Sequence, residues 1–408
     1  MLNWGNQFNI CCFMDSHDYE DAYGRYELLL ACNALRELKC EEQFVPSLQS
    51  FAEAANDWVF GHLNFEAGYE LVGLKDGRKP TTFPYYYFFV PETIITLKGL
   101  DLTIHTTLGN CEQVLADIIK MPVDNAHTHA PVSLQPSIAK DVYLHAIAKL
   151  KQHIQRGDCY EINYCQRFFN SNAAINPLLV YGSLSKVSPA PFSVFYKVDE
   201  SYLLCASPER FVQKEDKHLI SQPIKGTARR DLQNPANDEV LRLQLSNSAK
   251  DRSENVMIVD LVRNDLSKIA TTGSVHVKEL FGIKAFPQVF QMISTIGATV
   301  EAQLSAAQVM AALFPMGSMT GAPKRRVMEL TAAYEPDARG IYSGTVGYID
   351  PAGNMDFNVV IRSIIYDAAK HLVECYAGGG ITWYSKAEDE YEESLLKAGA
   401  MLKVLQGE

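Results

Sequence analysis

Closely spaced strands in the middle of the chain constrain its fold most. Four short apolar segments follow one another between residues 159 and 226: "CYEINYCQRFF", "FSVFYKVD", "SYLLCAS" and "HLISQPIKG". Short connections rich in Asp and Glu join the later segments, a spacing typical of antiparallel hairpins. A doubly wound parallel sheet would require a helix between successive strands, and the sequence lacks that alternation. We therefore predict an α+β protein, with an antiparallel sheet and helices packed outside it.

The chain divides into two regions. Residues 121–137 are polar and rich in proline, which indicates a connector. We predict an N-terminal α+β region in residues 1–120, part of the same compact fold, and a larger region in residues 138–408. In the larger region, apolar residues recur at helical spacing in three main segments, 138–156, 236–269 and 386–405.

Composition limits the partners and the compartment. The 408 residues carry a formal net charge of −11, which argues against a nucleic acid or an anionic membrane as the main partner. The nine cysteines are scattered and lack zinc-site spacing, as expected of free thiols in a reducing compartment. The sequence shows no signal peptide and no apolar run of membrane-spanning length. We expect a cytoplasmic protein.

Two pairs of acidic residues stand at helical spacing. Asp251 and Glu254 are three residues apart in one predicted helix, and Glu390 and Glu393 are three apart in another. Each pair therefore shares a helix face. Carboxylates on two helices could hold Mg²⁺, which commonly takes only one or two protein carboxylates. The alternative is two solvated helix faces, because glutamate is common on exposed helices.

Three further features could bind an anion. In "GSMTGAPKRR", Thr320 could cap a helix beginning near Pro323, which would leave backbone N–H groups free for a carboxylate or phosphate. The run Gly378–Gly380 would let a ligand approach the backbone closely. We predict a strand over residues 355–367, "MDFNVVIRSIIYD", and Arg362 in its apolar part "NVVIRSII" could form a bidentate pair with a carboxylate. The alternatives are a plain helix start, a tight turn or bulge, and an arginine on the solvent face.

Two charged residues lie at the ends of predicted strands, where side chains often point into a site. They are Glu209 in "CASPERF" and Lys225 in "SQPIKGTARR". A desolvated lysine loses its proton more easily and can act as a nucleophile. A carboxylic acid can protonate a leaving hydroxyl. The alternatives are an ion pair between the two residues or two separate surface charges.

These segments occur together in one order. The motifs are "SPERF", "PIKGTARR", "ENVMIVDLVRNDL", "GSMTGAPKRRVMEL", "RGIYSGTVGYID", "FNVVIRSI", "AGGGI" and "EDEYEESLLKA". In this order they resemble the chorismate-utilising enzymes, a family that includes the anthranilate, aminodeoxychorismate, isochorismate and salicylate synthases. The resemblance covers residues 138–408 and implies that this is the chorismate-binding catalytic region. It also implies antiparallel β-sheets packed as a sandwich with helices on the outside.

The resemblance implies a role for each candidate residue, with chorismate as substrate and Mg²⁺ as cofactor. Glu254 and Glu390 match the glutamates that hold Mg²⁺ against a substrate carboxylate, and Glu393 matches a neighbouring acid of that metal site. Glu209 matches the general acid for the hydroxyl that leaves carbon 4 of chorismate. The residues that match other substrate contacts are Ser318, Tyr342, Arg362, Gly378, Gly379 and Gly380.

Lys225 decides which branch of the family the sequence resembles. Anthranilate and isochorismate synthases have alanine here, whereas lysine is characteristic of aminodeoxychorismate synthases. The resemblance implies that the Lys225 amine attacks carbon 2 as the carbon 4 hydroxyl departs, and that ammonia then enters at carbon 4. This transaminase-class amination gives 4-amino-4-deoxychorismate, a precursor of para-aminobenzoate and folate. Ammonia would come from a separate glutamine amidotransferase subunit.

Three positions depart from the pattern of the family. Glu161 stands where aminating enzymes usually have Gln and isochorismate synthases a water-activating Lys, which argues against hydration. Gln291 stands where anthranilate synthases carry a catalytic His, and Met316 replaces a common glycine. The alternative enzyme is anthranilate synthase component I. The alternative from another class is a non-catalytic chorismate-binding protein.

Overall fold

The strands of the computed structural model pair edge to edge, and every pairing between named strands is antiparallel. The structure describes residues 1–19, 21–40, 43–75, 77–122, 130–287 and 289–407. The predicted connector therefore lies partly outside the described residues. The strands are β1 (Ile10–Asp15), β2 (Leu28–Cys40), β3 (Val59–Leu63), β4 (Tyr86–Lys98), β5 (Asp101–Thr106), β6 (Gln135–Pro136), β7 (Glu161–Asn170), β8 (Phe192–Val198), β9 (Ser201–Ser207), β10 (Arg210–Glu215), β11 (His218–Gln222), β12 (Ile224–Arg229), β13 (His276–Ala285), β14 (Val289–Thr299), β15 (Gly321–Ala322), β16 (Thr345–Ile349), β17 (Met355–Asn358), β18 (Ser363–Asp367) and β19 (Leu372–Ile381).

Helices connect and cover these strands. They are α1 (Leu2–Gly5), α2 (Phe44–Ala55), α3 (Ala67–Leu71), α4 (Cys111–Lys120), α5 (Lys140–Gln155), α6 (Pro177–Val187), α7 (Pro235–Asn247), α8 (Ala249–Ser267), α9 (Ala306–Leu313), α10 (Lys324–Tyr334) and α11 (Ala387–Gln406). In the part of the chain that the structure describes, no helix is long and apolar enough to cross a membrane.

The strand pairing forms two linked sheets. In the first, the order runs β7–β19–β18–β9–β8–β1–β2. In the second, it runs β3–β16–β17–β10–β11–β14–β13. The 13-residue strands β2 and β4 pair along their length, and β4 continues to β3. The N-terminal strands are thus hydrogen bonded into both sheets, through β1 to β8 and through β3 to β16.

Side chains of the first sheet alternate between two hydrophobic clusters, as the two-residue period of a strand requires. In β8, Val194 and Tyr196 lie in a cluster shared with Tyr348 of the second sheet. Phe195 lies on the opposite face, in a cluster shared with Met401 of α11. One face of this sheet therefore packs toward the other sheet and the other face toward helices. The predicted α+β class, with antiparallel sheets and helices outside, is confirmed.

Three local predictions are wrong in informative ways. Residues 236–269 form two helices, because Ser248 leaves the helical conformation and its hydroxyl accepts from the Asp251 backbone N–H to begin α8. The segment 355–367 is interrupted at Arg362, whose φ of 53° lies in the left-handed region. Thr320 caps no helix. Its hydroxyl donates to the Met316 carbonyl, and α10 begins after Pro323 without a side-chain cap.

Candidate functional site

The glycine run forms the floor of a polar site. Gly378, Gly379 and Gly380 pair with Cys165, Tyr164 and Asn163 of β7. A Cβ atom at Gly379 would lie 3.1 Å from Glu390 Oε2, and one at Gly380 would lie 2.7 Å from Lys225 Nζ. Both distances are shorter than ordinary contacts, so the charged groups pack directly against bare backbone. The alternative of a simple turn is wrong, because these residues lie inside β19.

A β-bulge aims Lys225 at this floor. The pairing of β12 with β14 shifts register between Ile224 and Thr227. The residue after Lys225 is Gly226, with a φ of 95° that favours glycine. A bulge leaves one residue outside the regular ladder and re-aims its side chain. Lys225 therefore points over Gly380 instead of following the alternation of the strand.

Lys225 makes a buried ion pair with Glu161 of β7. Its Nζ lies 2.6 Å from Glu161 Oε1, and the two side chains are only 11% and 3% exposed. Burial alone would lower the pKa of Lys225, but the carboxylates of Glu161 and Glu254 outweigh it and raise that pKa above the ordinary lysine value. The prediction that desolvation favours loss of the Lys225 proton is therefore wrong, because these carboxylates outweigh it.

Glu209 is buried near this pair in the turn between β9 and β10. Burial raises the pKa of Glu209 to about 7, and the Ser318 hydroxyl and the Lys225 ammonium oppose the rise. A carboxyl with this pKa carries a proton for a large fraction of the time near neutral pH. That property suits a general acid. The alternative of an ion pair between Glu209 and Lys225 is not observed, because Lys225 pairs with Glu161. The alternative of two surface charges is not observed either, because the side chains of Glu209 and Lys225 are both largely shielded from solvent.

Two acidic residues come from different helices: Glu390 lies against Gly379, and Glu254 lies within electrostatic range of Lys225. Burial raises the pKa of Glu254 to about 7 and also raises the pKa of Glu390 above its ordinary range. Lys250 lies 3.9 Å from Glu254, and the negative charges of Glu254 and Glu390 help to raise its pKa. The Lys250 side chain is 56% exposed and gives only partial compensation. The predicted solvated helix faces are not observed for these two residues.

Glu393 differs from its neighbours because it already has a cationic partner. Its carboxylate lies 2.7 Å from Lys397 Nζ, which also donates to the Gly378 carbonyl at 2.9 Å. Burial alone would raise the pKa of Glu393, but Lys397 and other nearby ammonium groups lower it below the usual value. Sequence reasoning missed Lys397, although its position four residues after Glu393 is typical of a helical ion pair.

Arg362 is a cation without a carboxylate partner among the described residues. Its guanidinium is partly buried, and its one hydrogen bond within those residues runs to the Lys397 carbonyl at 3.3 Å. Burial lowers the pKa of Arg362, and the nearby Glu393 carboxylate partly offsets that effect. The Tyr342 ring is buried and stacked on Tyr376 at 5.2 Å. The site therefore offers an arginine fork that a ligand carboxylate could occupy.

Several buried polar atoms of the site lack hydrogen-bond partners within the described part of the chain. Buried polar groups are usually satisfied, so these atoms could exchange hydrogen bonds with a ligand. The unpaired atoms are Glu161 Oε2, Glu254 Oε1, Gln291 Oε1 and Ser318 Oγ.

The residues fit a metal held by two carboxylates better than a closed metal cage. Among the described residues, no group of three or more His, Cys, Asp or Glu side chains converges enough to hold an ion. Glu254 and Glu390 are buried acids with raised pKa values, and Glu254 has an unpaired oxygen. Magnesium commonly completes its shell with water and substrate oxygens. This donor set therefore suits Mg²⁺, with Glu393 committed to Lys397.

The buried Glu209 carboxyl makes stability depend on pH. Its pKa of about 7 exceeds the value of an unfolded glutamate, about 4.3. The stability that its proton contributes is therefore fully present below about pH 4 and is lost as pH rises through 7. We expect Glu209→Gln to raise the free energy of unfolding by about 1–3 kcal/mol at pH 8 relative to wild type, with a smaller gain at pH 5.

Urea denaturation at the two pH values measures this difference. Glu388→Gln, at an exposed position at the start of α11, is the matched control and should leave stability unchanged at both. A Glu209→Gln variant that is less stable than wild type at pH 8 would contradict the raised pKa.

Comparison with known proteins gives the family. The family model described as chorismate binding enzyme matches residues 11–403. The chain is 39% identical over 272 residues to aminodeoxychorismate synthase component 1 of Escherichia coli (strain K12), a match that covers 67% of this chain and 59% of that protein. It is 34% identical over 360 residues to aminodeoxychorismate synthase component 1 of Bacillus subtilis (strain 168), covering 85% and 75%. The match thus spans about three-fifths of the Escherichia coli relative.

Solved structures share the fold. Anthranilate synthase component I from Streptococcus pneumoniae TIGR4 superposes with a TM-score of 0.79 at 24% identity, covering 94% of this chain and 93% of that one. MenF, the menaquinone-specific isochorismate synthase from Escherichia coli, gives 0.80 at 18% identity, covering 99% and 91%. The family model covers nearly the whole chain, and the fold agrees with it. The chain belongs to the family of chorismate binding enzymes.

Proposed function

We propose that this chain aminates chorismate at carbon 4 to give 4-amino-4-deoxychorismate, the reaction of an aminodeoxychorismate synthase component I. The observation that carries the proposal is the Lys225 amine, buried over Gly380 and within the electrostatic field of the Glu209 acid. A primary amine in such a place is an unusual feature with a direct use as a nucleophile. The names of the Escherichia coli and Bacillus subtilis relatives support the same reaction.

The site suits a dianionic ring substrate. Arg362 offers a fork for one carboxylate, close to the buried Tyr342 ring. The bare backbone at Gly379 and Gly380 allows the substrate to lie flat against β19. Glu254 and Glu390 would hold Mg²⁺, which supplies positive charge to bind and orient a second substrate carboxylate. These cationic groups let an acidic protein bind an acidic substrate.

The reaction proceeds in two substitutions. The neutral Lys225 amine forms a bond to carbon 2 as the two conjugated ring double bonds shift and the carbon 4 C–O bond breaks. Glu209 gives its proton to the departing hydroxyl, which leaves as water. Ammonia then forms a bond to carbon 4, both double bonds shift back, and Lys225 leaves carbon 2 as the amine. The Glu209 carboxylate takes the excess proton from the new ammonium group.

Ammonia requires a source. The relatives are named component 1, and we propose that a separate glutamine amidotransferase subunit supplies ammonia to this chain.

We also propose that the enzyme is located in the cytoplasm. The described cysteines are free thiols, and reducing compartments keep thiols in that form.

Product identification tests the proposal. With chorismate, ammonium and Mg²⁺, we expect mass spectrometry to detect 4-amino-4-deoxychorismate from the wild-type chain. Lys225→Ala should lose at least about 10³-fold of that activity, because the covalent route is gone. Anthranilate as the product would identify an anthranilate synthase instead, and chorismate binding without turnover would identify a non-catalytic binder. Full activity of Lys225→Ala would exclude the nucleophile role.

Thermal unfolding with Mg²⁺ tests the metal site without an activity assay. Saturating Mg²⁺ should raise the Tm of the wild-type chain by about 2–5 °C, because a ligand that binds only the folded state stabilises it. Glu254→Gln and Glu390→Gln should each abolish most of this shift, whereas the exposed Glu388→Gln should retain it. An unchanged shift in both site variants would contradict the assignment.

Gly380 tests the proposed floor. A methyl group there would lie 2.7 Å from Lys225 Nζ, so Gly380→Ala should displace the lysine and reduce kcat/KM by about 10²-fold. The φ of Gly380 is outside the left-handed region, so the backbone accepts alanine. Gly399→Ala in α11, where a Cβ would meet no atom within 4 Å, is the matched control and should keep full activity. Equal activity of both variants would contradict the proposed position of Lys225.

A further inference from the structure

One buried charge beside the nucleophile has no part in the proposed function. Glu161 Oε1 lies 2.6 Å from Lys225 Nζ, and the two side chains are only 3% and 11% exposed. At residue 161 the sequence also departs from the pattern of the chorismate-utilising enzymes, whose aminating members usually have Gln there. The amination chemistry therefore does not explain why this position carries a carboxylate.

The contact between the two side chains combines a hydrogen bond with an attraction between charges. Lys225 Nζ donates to Glu161 Oε1, and the amide oxygen of a glutamine could accept the same hydrogen bond. An amide lacks the negative charge, which favours the protonated form of a neighbouring lysine. What the carboxylate adds is therefore an effect on the charge of Lys225, whereas either side chain could hold the lysine in position.

The other acidic groups around Lys225 come from three parts of the chain. Glu254 lies on α8, Glu209 lies in the turn before β10, and Glu393 lies on α11. Burial lowers the pKa of Lys225, Glu161 and Glu254 raise it, and Glu209 adds a smaller rise. Among the described carboxylates, only that of Glu161 is hydrogen bonded to Lys225.

Glu161 is the carboxylate whose influence on Lys225 persists in an occupied site. Mg²⁺ held by Glu254 would balance the charge of that residue, and Glu209 is often protonated near neutral pH because burial raises its pKa to about 7. Glu393 is already paired with a lysine of its own helix. Glu161 has no other cationic partner within the described part of the chain, and its Oε2 atom is buried there without a hydrogen bond.

We infer that Glu161 holds the Lys225 amine in its protonated, unreactive form, so that amination near neutral pH is slower than with an uncharged side chain at residue 161. This inference rests on the proposed function. An ammonium group has no lone pair to bond to carbon 2, so Lys225 must first release a proton to the solvent that reaches its side chain. Glu161 stabilises the state before this release. It acts on the rate through Lys225 and takes no part in the bond changes.

The experiment compares the rates of Glu161→Gln and wild type with chorismate, ammonium and Mg²⁺ from about pH 6 to pH 9. We expect Glu161→Gln to form 4-amino-4-deoxychorismate at least about tenfold faster at pH 7, because loss of a contacting opposite charge lowers the pKa of a lysine by about one unit or more. The ratio of the two rates at each pH cancels the pH dependence of ammonia and of Glu209, which both chains share. Glu161→Asp retains the charge and should stay slower than Glu161→Gln, and Glu388→Gln should match wild type.

Chemical labelling tests the charge of Lys225 without turnover. Acetic anhydride acetylates neutral amines only, so the extent of acetylation after a brief exposure reports the neutral fraction of Lys225. Mass spectrometry of the peptide that contains Lys225 measures it, with the exposed Lys120 as the internal reference. We expect several-fold faster labelling of Lys225 in Glu161→Gln than in wild type at each pH.

The outcomes separate this inference from the proposed function. A Glu161→Gln variant that unfolds at the same temperature as wild type but is no faster at pH 7 would overturn the inference, and so would equal labelling of Lys225 in the two chains. A wild-type chain that makes anthranilate or no product would instead overturn the proposed function, and the labelling comparison would still test the charge of Lys225.

Discussion

Bare backbone at Gly378–Gly380 is the constraint on which the arrangement of the site depends. These residues pair with β7 in the first sheet and carry no side chains to keep neighbouring groups away. Charged groups from β7, β12 and α11 therefore pack against one strand. Any larger residue would displace Glu161 and Lys225 or crowd Glu390. A flat surface bordered by charge results, and a dianionic ring can lie on it.

The site is short of positive charge. The pKa values of Glu209 and Glu254 both rise to about 7, because burial costs their carboxylates more than the nearby ammonium groups return. Conversely, the guanidinium of Arg362 has no carboxylate partner among the described residues. The site therefore combines acids that nearby ammonium groups balance only in part with an arginine that has no carboxylate partner among the described residues, which suits the binding of both a cation and an anion. Such strain is expected where function competes with stability.

The sequence predicted the class of the fold and the residues of the site better than it predicted their states. The order of the motifs assigned four residues that lie far apart in the chain to one site: Glu209, Lys225, Glu254 and Glu390. The predicted charge state of Lys225 was wrong because the Glu161 carboxylate helps to raise the pKa of this lysine. That contact requires both the register of β7 and the bulge in β12, which no local pattern reveals.

Backbone conformations account for the other differences. The left-handed φ of Arg362 divides a segment whose apolar pattern predicts one continuous strand. Ser248 divides the long helical segment by capping α8, and that cap sets where Glu254 faces the site. Thr320 sits before a helix in sequence but bonds to Met316 instead. In each case the conformation or hydrogen bond of a single residue departs from what the pattern of its segment predicts.

Covalent attachment of the substrate to Lys225 is the central claim, and its most direct test omits ammonia. The chain is mixed with chorismate and Mg²⁺, quenched rapidly in acid and measured by intact and peptide mass spectrometry. The account predicts an adduct with the mass of chorismate less one water, located on the peptide that contains Lys225 and absent from Lys225→Ala. An enzyme that makes 4-amino-4-deoxychorismate without this adduct, or with the adduct on another residue, would contradict it.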